Sequence, residues 1–293
     1  MDRIIEQMLR HDGVATADDK KNSIKEVVQE IVLCGLSRAG LFKTAAFYGG
    51  TALRIFHGLD RFSEDLDFSL KLPDSTFEFS EYLPTLEKEI RSYGLVFSVE
   101  TKDKSADSEI KSAFLKGNTK EHMLMFYSDE KLANSISPKE FIKIKFEVDT
   151  NPPGYANFES KYRLLPIPYE VMLYDMPSLF AGKIHAVIGR TWKNRVKGRD
   201  LYDYVFYLSR GTRVNLAHTT ARLVQSGHIS SAGHFTLDDL KELLCDRFAN
   251  IDYNLAKEDV VPFIKNKSEI DVWSSDFFCK ITEGLKEIPI LSF

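Results

Sequence analysis

Two aspartates, Asp65 and Asp67, have the residue type and spacing of a metal-binding pair. Residues 64–70 alternate polar and apolar side chains, which is the period of a strand with one buried face. Residues two apart on a strand project to the same side, so the two carboxylates converge. Like charges at one point are costly unless cations lie between them, and divalent metals with oxygen ligands meet that need. An ordinary solvent-exposed strand face would show the same pattern, and this alternative stays open.

A glycine pair precedes the aspartates. Gly49 and Gly50 stop a short apolar segment, residues 45–48, and a helix is predicted to begin at Thr51. Glycines allow a sharp turn and the close approach of a ligand, and a helix N-terminus offers free N–H groups to phosphate. The Thr51 hydroxyl could add to such a site. An ordinary strand-to-helix turn with Thr51 as N-cap is the alternative.

A third acidic position lies on the clearest strand, residues 141–149. Its apolar side chains at 142, 144, 146 and 148 share one face, and its charged side chains share the other. If this strand lies beside the first acidic strand, Glu147 would supply a third carboxylate. Asp149 is the rival for that role, because it lies on the same face. An amphipathic surface strand would also explain the pattern.

These motifs, and the order in which they occur, resemble those of a known family. The segment FYGGTALRIFHGLDRFSEDLDFSL resembles the opening motif of the AbiEii/AbiGii-type nucleotidyltransferase toxins, which belong to the DNA polymerase beta-like nucleotidyltransferase superfamily. The positions that match are Gly49, Gly50, Thr51, Leu53, Arg61, Ser63, Asp65, Asp67 and Phe68. The resemblance implies a nucleotide-binding group of Gly49, Gly50, Thr51, Arg61 and Ser63, and a metal site of Asp65 and Asp67. From the strand pattern we take Glu147 as the third metal ligand, with Asp149 as the alternative.

A second segment, LFAGKIHAVIGRTWKNRVKGRDLYDYVFYL, resembles the later motifs of that family: a lysine on one helix and an Arg-Asp pair that opens the next. Here these are Lys183, Arg199 and Asp200, with Asp203 one helical turn further. A helical hairpin would bring Lys183 near Asp200. The lysine could then neutralise triphosphate charge, and Asp200 could orient the lysine or a substrate hydroxyl. The plainer alternatives are a helix N-cap for Asp200 and a surface lysine for Lys183.

A basic cluster lies between these two helices. Its members are Arg190, Lys193, Arg195, Lys197 and Arg199, with Trp192 among them. Such a patch suits a nucleoside triphosphate, with Arg199 as a nucleotide contact, or an RNA backbone, with Trp192 stacked on a base. A solvated interhelical loop is the alternative. We interpret His57 and His185 as structural, because the sequence places no partner beside either.

The composition limits the class of protein. The chain has 293 residues, 43% of them hydrophobic, and a formal net charge of -4, so a globally basic nucleic-acid binder is not indicated. Three widely spaced cysteines favour a reduced intracellular protein over a disulfide scaffold. No apolar run approaches the length of a membrane span, and no secretory signal is evident at the N-terminus. We therefore expect a cytoplasmic protein that does not associate with membranes.

The elements that would position these residues suggest an α+β protein. A helical stripe covers residues 24–36 and a helix is predicted over 82–93, while residues 95–99 and 123–127 are predicted strands. Helical spacing dominates after about residue 170. We expect a nucleotidyltransferase-type mixed β-sheet flanked by helices over residues 1–160. An α-helical C-terminal domain, residues 161–293, would follow and contribute Lys183 and Asp200.

The leading functional hypothesis is transfer of a nucleoside monophosphate from an NTP to an acceptor hydroxyl, with Mg²⁺ or Mn²⁺ as cofactor. The resemblance implies a toxin of a toxin–antitoxin or phage-defence pair, with a cognate antitoxin, and an RNA acceptor such as the 3′ end of tRNA. Two alternatives stay open. The same site could modify a small molecule or a protein, or the chain could be a regulatory protein that binds an NTP without turnover.

Overall fold

Seven strands form one mixed sheet in the order β3-β4-β5-β2-β1-β7-β6. The computed structural model describes residues 3–9, 16–102, 109–127, 129–190, 196–231 and 233–289. The strands are β1 Ala45–Tyr48, β2 Leu66–Leu70, β3 Ser98–Lys102, β4 Ile110–Asn118, β5 Phe141–Asp149, β6 Phe158–Arg163 and β7 Tyr169–Tyr174. Strand β2 runs antiparallel to β1 and parallel to β5, which places the two acidic strands side by side.

The chain divides into two compact units that alternate along the sequence. The first consists of Met1–Thr51, Glu64–Pro152 and Ser160–Leu173, and the second of Ala52–Ser63, Pro153–Glu159 and Tyr174–Phe293. Residues 52–63 thus belong to the helical unit, although they precede the division expected at residue 160.

Helices accompany the sheet in the first half of the chain. They are α1 Arg3–Met8, α2 Ala17–Ala39, α3 Gly49–His57, α4 Leu83–Ser92, α5 Thr119–Tyr127 and α6 Glu130–Ser135. The long helix α2 begins at a capping box formed by Thr16 and Asp19 and ends at Gly40, whose φ of 88° is left-handed. Its predicted apolar stripe is buried from Ile24 to Leu36, so this part of the pattern is confirmed.

Strand β5 also has the predicted faces. Ile142, Ile144, Phe146 and Val148 are all at most 2% exposed, and the charged positions between them are more accessible.

The predictions of strands at residues 95–99 and 123–127 were less accurate. Residues 123–127 form the last part of helix α5, not a strand, because Met123 and Phe126 are buried at helical spacing. A short apolar run does not distinguish these two structures. The strand expected at 95–99 begins only at Ser98.

The second unit is built mainly from helices: α7 Met176–Gly189, α8 Gly198–Ser209, α9 Leu216–Gln225, α10 Leu237–Ala249, α11 Tyr253–Val260 and α12 Ser275–Thr282. Aromatic side chains fill its core, and the rings of Phe180 and Tyr207 stack with centroids 4.6 Å apart. Helix α8 packs closely on α11, because a Cβ at Gly198 would come within 1.8 Å of the Ala256 carbonyl oxygen. The predicted combination of a mixed sheet and a helical C-terminal region is confirmed.

Candidate active site

Asp67 and Glu147 are register partners in the parallel pair of β2 and β5. Partners in neighbouring strands project to the same face, so their carboxylates lie on one side of the sheet. The same register pairs Asp149 with Ser69. Asp65 lies just before the first residue of β2 and is exposed. The register therefore brings Glu147, and not Asp149, beside Asp67.

Gly49 lies against the Asp67 carboxylate. It follows β1, whose last residue, Tyr48, is the antiparallel partner of Asp67. Gly49 has a φ of +83°, and a Cβ at this position would come within 2.6 Å of Asp67 Oδ2. Both the left-handed backbone and the missing side chain are therefore required here. Only glycine therefore fits this close to the Asp67 carboxylate without a shift of the turn or of the carboxylate.

Two side chains hold the chain where it enters β2. The Thr51 hydroxyl donates a 2.5 Å hydrogen bond to the Asp65 carbonyl oxygen, and the buried Gln29 amide donates a 2.9 Å bond to the Glu64 carbonyl oxygen. Thr51 is fully buried and lies inside α3, which begins at Gly49. Thr51 is therefore not the N-cap, and its hydroxyl supports the backbone of the first aspartate.

Two side chains, Lys145 and Ser112, contact the Glu147 carboxylate that is the expected third metal ligand. Lys145 Nζ lies 2.7 Å from Glu147 Oε1, and the Ser112 hydroxyl donates to the same oxygen at 3.2 Å. Within the described ranges, no three His, Cys, Asp or Glu side chains are gathered as a ready-made metal site. Mg²⁺ usually keeps several waters and binds through one or two carboxylates plus substrate phosphates. The exposed Asp65 and the neighbouring Asp67 fit that mode of binding.

The second unit contains a buried cluster of charges around Lys183. The lysine Nζ lies 2.7 Å from Asp200 Oδ1 and 2.8 Å from Asp203 Oδ2, and its side chain is only 13% exposed. Helices α7 and α8 therefore form the expected pair of Lys183 and Asp200. The lysine is not a surface side chain, and Asp200 lies in the first turn of α8 instead of capping it.

Arg61 completes this cluster from outside the two helices. Its Nε and Nη2 atoms donate to the two oxygens of Asp203, both at 2.6 Å. Burial opposes the charge on each partner, but the neighbours prevail: Asp203 raises the pKa of Arg61, while Arg61 and Lys183 lower the pKa of Asp203. Both groups are therefore charged, and the Arg61 guanidinium is occupied by Asp203.

The cluster carries more positive than negative charge. Arg190 Nη1 lies 3.0 Å from Asp200 Oδ2, as an ion pair without hydrogen-bond geometry. Arg61, Lys183 and Arg190 thus surround two carboxylates. Asp203 had no site role in the sequence-based prediction. Its spacing of three residues from Asp200 on one helical face was the available signal, and the remote partner Arg61 was not visible in any local pattern.

Ser63 and Arg199 are the remaining predicted nucleotide contacts. Ser63 is buried at 8% exposure. The Arg199 guanidinium lies 4.1 Å from the centroid of the Phe263 ring, and its Nε is 3.9 Å from Asp259 Oδ2. In the predicted basic cluster, Trp192, Lys193 and Arg195 lie outside the described residues.

Both histidines interpreted as structural have neighbours in the second unit. His57 Nε2 lies 3.8 Å from Glu159 Oε1, and His185 Nε2 lies 3.0 Å from the Ser226 hydroxyl. Burial, followed by the nearby charges of Arg222, His228 and Arg190, lowers the pKa of His185 to about 4. His185 is therefore neutral near pH 7, which fits a structural role.

Known proteins similar to this chain include a protein family and solved structures. The model of a family described as nucleotidyl transferase AbiEii toxin, type IV TA system, matches residues 31–278. The chain is also similar to the crystal structure of a candidate nucleotidyltransferase from H. pylori, at 17% identity and a TM-score of 0.47, over 87% of this chain and 90% of that chain. JHP933 from Helicobacter pylori is 17% identical, with a TM-score of 0.45, over 89% and 86% of the two chains. No curated protein matches the chain.

The helices of the described ranges are short or polar by the standard of membrane spans. None of them combines the length and hydropathy that a membrane-spanning segment needs.

Proposed function

Because the chain belongs to the AbiEii family of nucleotidyl transferase toxins, we propose that it transfers a nucleoside monophosphate from an NTP to an acceptor hydroxyl at the Asp65–Asp67 pair. The family match establishes the nucleotidyltransferase class. The observation that carries the assignment of the site is the register of Asp67 with Glu147, together with the close approach of Gly49 to Asp67.

Asp65 and Asp67 would hold Mg²⁺ or Mn²⁺, with Glu147 as the third carboxylate. The metal would supply charge stabilisation on the phosphates and alignment of the attacking hydroxyl. Glu147 pairs with Lys145 in this structure, so it would share its carboxylate between the lysine and the metal site. Thr51 positions the Asp65 backbone through its hydrogen bond to the carbonyl oxygen.

Gly49 and Gly50 would receive the triphosphate, because the start of α3 offers backbone N–H groups free of side-chain bulk. Lys183 is the proposed cation for phosphate charge, and Asp200 and Asp203 orient its ammonium group through the 2.7 and 2.8 Å contacts. Arg61 acts on Asp203 and is proposed as a positioning residue, not as a direct nucleotide contact. Arg199 and Ser63 remain candidate nucleotide contacts.

The proposed acceptor is RNA, with the 3′ end of tRNA as the expected target, and the proposed physiological role is that of a toxin controlled by an antitoxin. The type IV toxin–antitoxin description of the family supports the proposed role as a toxin controlled by an antitoxin. The motif resemblance supports the proposed RNA acceptor. Arg190, Lys197 and Arg199 are described members of the basic cluster that would contact its backbone.

The acceptor can be identified with purified protein, each α-labelled NTP, Mg²⁺ and total RNA. We expect label in an RNA band of tRNA size, lost on RNase treatment. Label in a band that survives RNase, or in a small-molecule fraction, would replace the RNA acceptor by a protein or a metabolite. NTP binding by the folded protein, without transfer or pyrophosphate release, would contradict the enzymatic role.

A further inference from the structure

A cavity of about 420 Å³ opens within the second unit, on the helix that also carries Asp200 and Asp203. Helix α8 lines it with Tyr202 and Phe206, and the segment before α12 lines it with Glu269 and Trp273. Its volume lies in the range of roughly 300–1,000 Å³ that is usual for small-molecule pockets. None of these residues takes part in the proposed nucleotidyl transfer.

The polar end of the cavity has two carboxylates and one hydroxyl. The Tyr202 hydroxyl lies 2.7 Å from Asp60 Oδ1 and 2.9 Å from Glu269 Oε2. A phenol has one proton to donate, and ionised carboxylates can only accept. Burial and the two adjacent carboxylates raise the pKa of Tyr202, so it stays a phenol. Tyr202 can therefore donate to only one of the two carboxylates at a time, which leaves acceptor capacity on both.

Among the described residues, no Lys, Arg or His nitrogen forms an ion pair within 4.0 Å of Asp60 or Glu269. Arg210, the basic residue of the lining, has its guanidinium 4.4 Å from the centroid of the Phe206 ring instead. Asp60 and Glu269 are both exposed, so water screens their mutual repulsion, and a cation bound between them would relieve what remains.

We propose that this cavity binds a small organic cation with a planar amidinium or guanidinium group. The cationic group would donate hydrogen bonds to Asp60 and Glu269, and charge-assisted bonds of this kind are the strong ones. The apolar body of the ligand would lie against Phe206 and Trp273, which line the cavity. The site is a ligand pocket separate in its residues from the Lys183 cluster.

The test compares benzamidine with benzamide, which has nearly the same shape but no charge, by isothermal titration calorimetry on the full chain. We expect saturable binding of benzamidine and at least about tenfold weaker binding of benzamide. Glu269→Gln and Asp60→Asn should each weaken benzamidine binding about tenfold, as expected for one lost charge-assisted hydrogen bond. Asp271→Asn removes an exposed acid close to Glu269 in sequence but outside the cavity lining, and should leave the affinity unchanged.

Circular dichroism and thermal melting establish that each variant is folded. Equal affinity for benzamide and benzamidine would overturn the proposal, as would unchanged benzamidine binding by the Asp60→Asn/Glu269→Gln double variant. Absence of saturable binding to the folded wild type would also overturn it.

Discussion

Glu147 lies opposite Asp67 across the parallel strands β2 and β5, whereas Asp149, on the same face, lies opposite Ser69. This register separates two acids that are equivalent in the sequence pattern. It favours Glu147 as the third carboxylate of the proposed metal site.

The first prediction compares the two acids. Glu147→Gln should lower nucleotidyl transfer on the order of 100-fold, because it removes a charged oxygen beside Asp67. Asp149→Asn should leave the rate close to that of the wild type. Rates are measured with labelled NTP over a range of Mg²⁺ concentrations, with melting temperatures as the folding control. A larger loss for Asp149→Asn than for Glu147→Gln would reverse the assignment.

The second prediction concerns Gly49. Gly49→Ala places a methyl group 2.6 Å from the Asp67 carboxylate, so the turn or the carboxylate must shift. We expect a loss of transfer on the order of 100-fold, since small displacements of reacting groups have effects of that size. Gly211→Ala is the matched control: its φ is +64°, but open space surrounds the new Cβ.

The control variant should lose about 1–2 kcal/mol in free energy of unfolding, from backbone strain alone, and keep its activity. If both alanine variants lost activity equally, the close approach of Gly49 to Asp67 would have no catalytic significance.

The third prediction tests the buried charge cluster. Asp203→Ala leaves Arg61 without its carboxylate and removes one of the two partners of Lys183. We expect the free energy of unfolding to fall by about 3–5 kcal/mol, the usual cost of breaking a buried ion pair. Asp238→Ala is the surface control, since its 3.9 Å contact with Lys241 is exposed and should contribute at most about 1 kcal/mol. Urea denaturation gives both values, and equal losses would contradict the structural importance of Asp203.

The fourth prediction concerns pH. Folding lowers the pKa of Asp203 below its ordinary value of 3.8, because the attraction of Arg61 and Lys183 outweighs burial. Its charge therefore stabilises the fold above that value, and the contribution is lost as the pH falls through the folded pKa. Urea denaturation from roughly pH 6 to pH 3 should show a steeper fall in stability for the wild type than for Asp203→Asn. Parallel curves would contradict the lowered pKa.

Local patterns predicted the residues of the site better than their arrangement. The alternation around Asp65 and Asp67 and along β5 indicated two strands, because side-chain period depends only on neighbouring residues. The register that selects Glu147 depends on pairing between distant segments, which periodicity does not report. Arg61 and Asp203 are 142 residues apart, so their ion pair could not be inferred from spacing. The apolar run at 123–127 was misassigned because burial in a helix and in a strand select the same residue types.

The most direct test of the central claim is pyrophosphate release by the wild type and by Asp67→Asn, with NTP, Mg²⁺ and RNA. The account predicts release by the wild type that stops when EDTA is added, and a loss of at least roughly 100-fold in a folded Asp67→Asn variant. A folded Asp67→Asn variant with the wild-type rate, or wild-type release that persists in EDTA, would contradict a metal-dependent transfer centred on this aspartate.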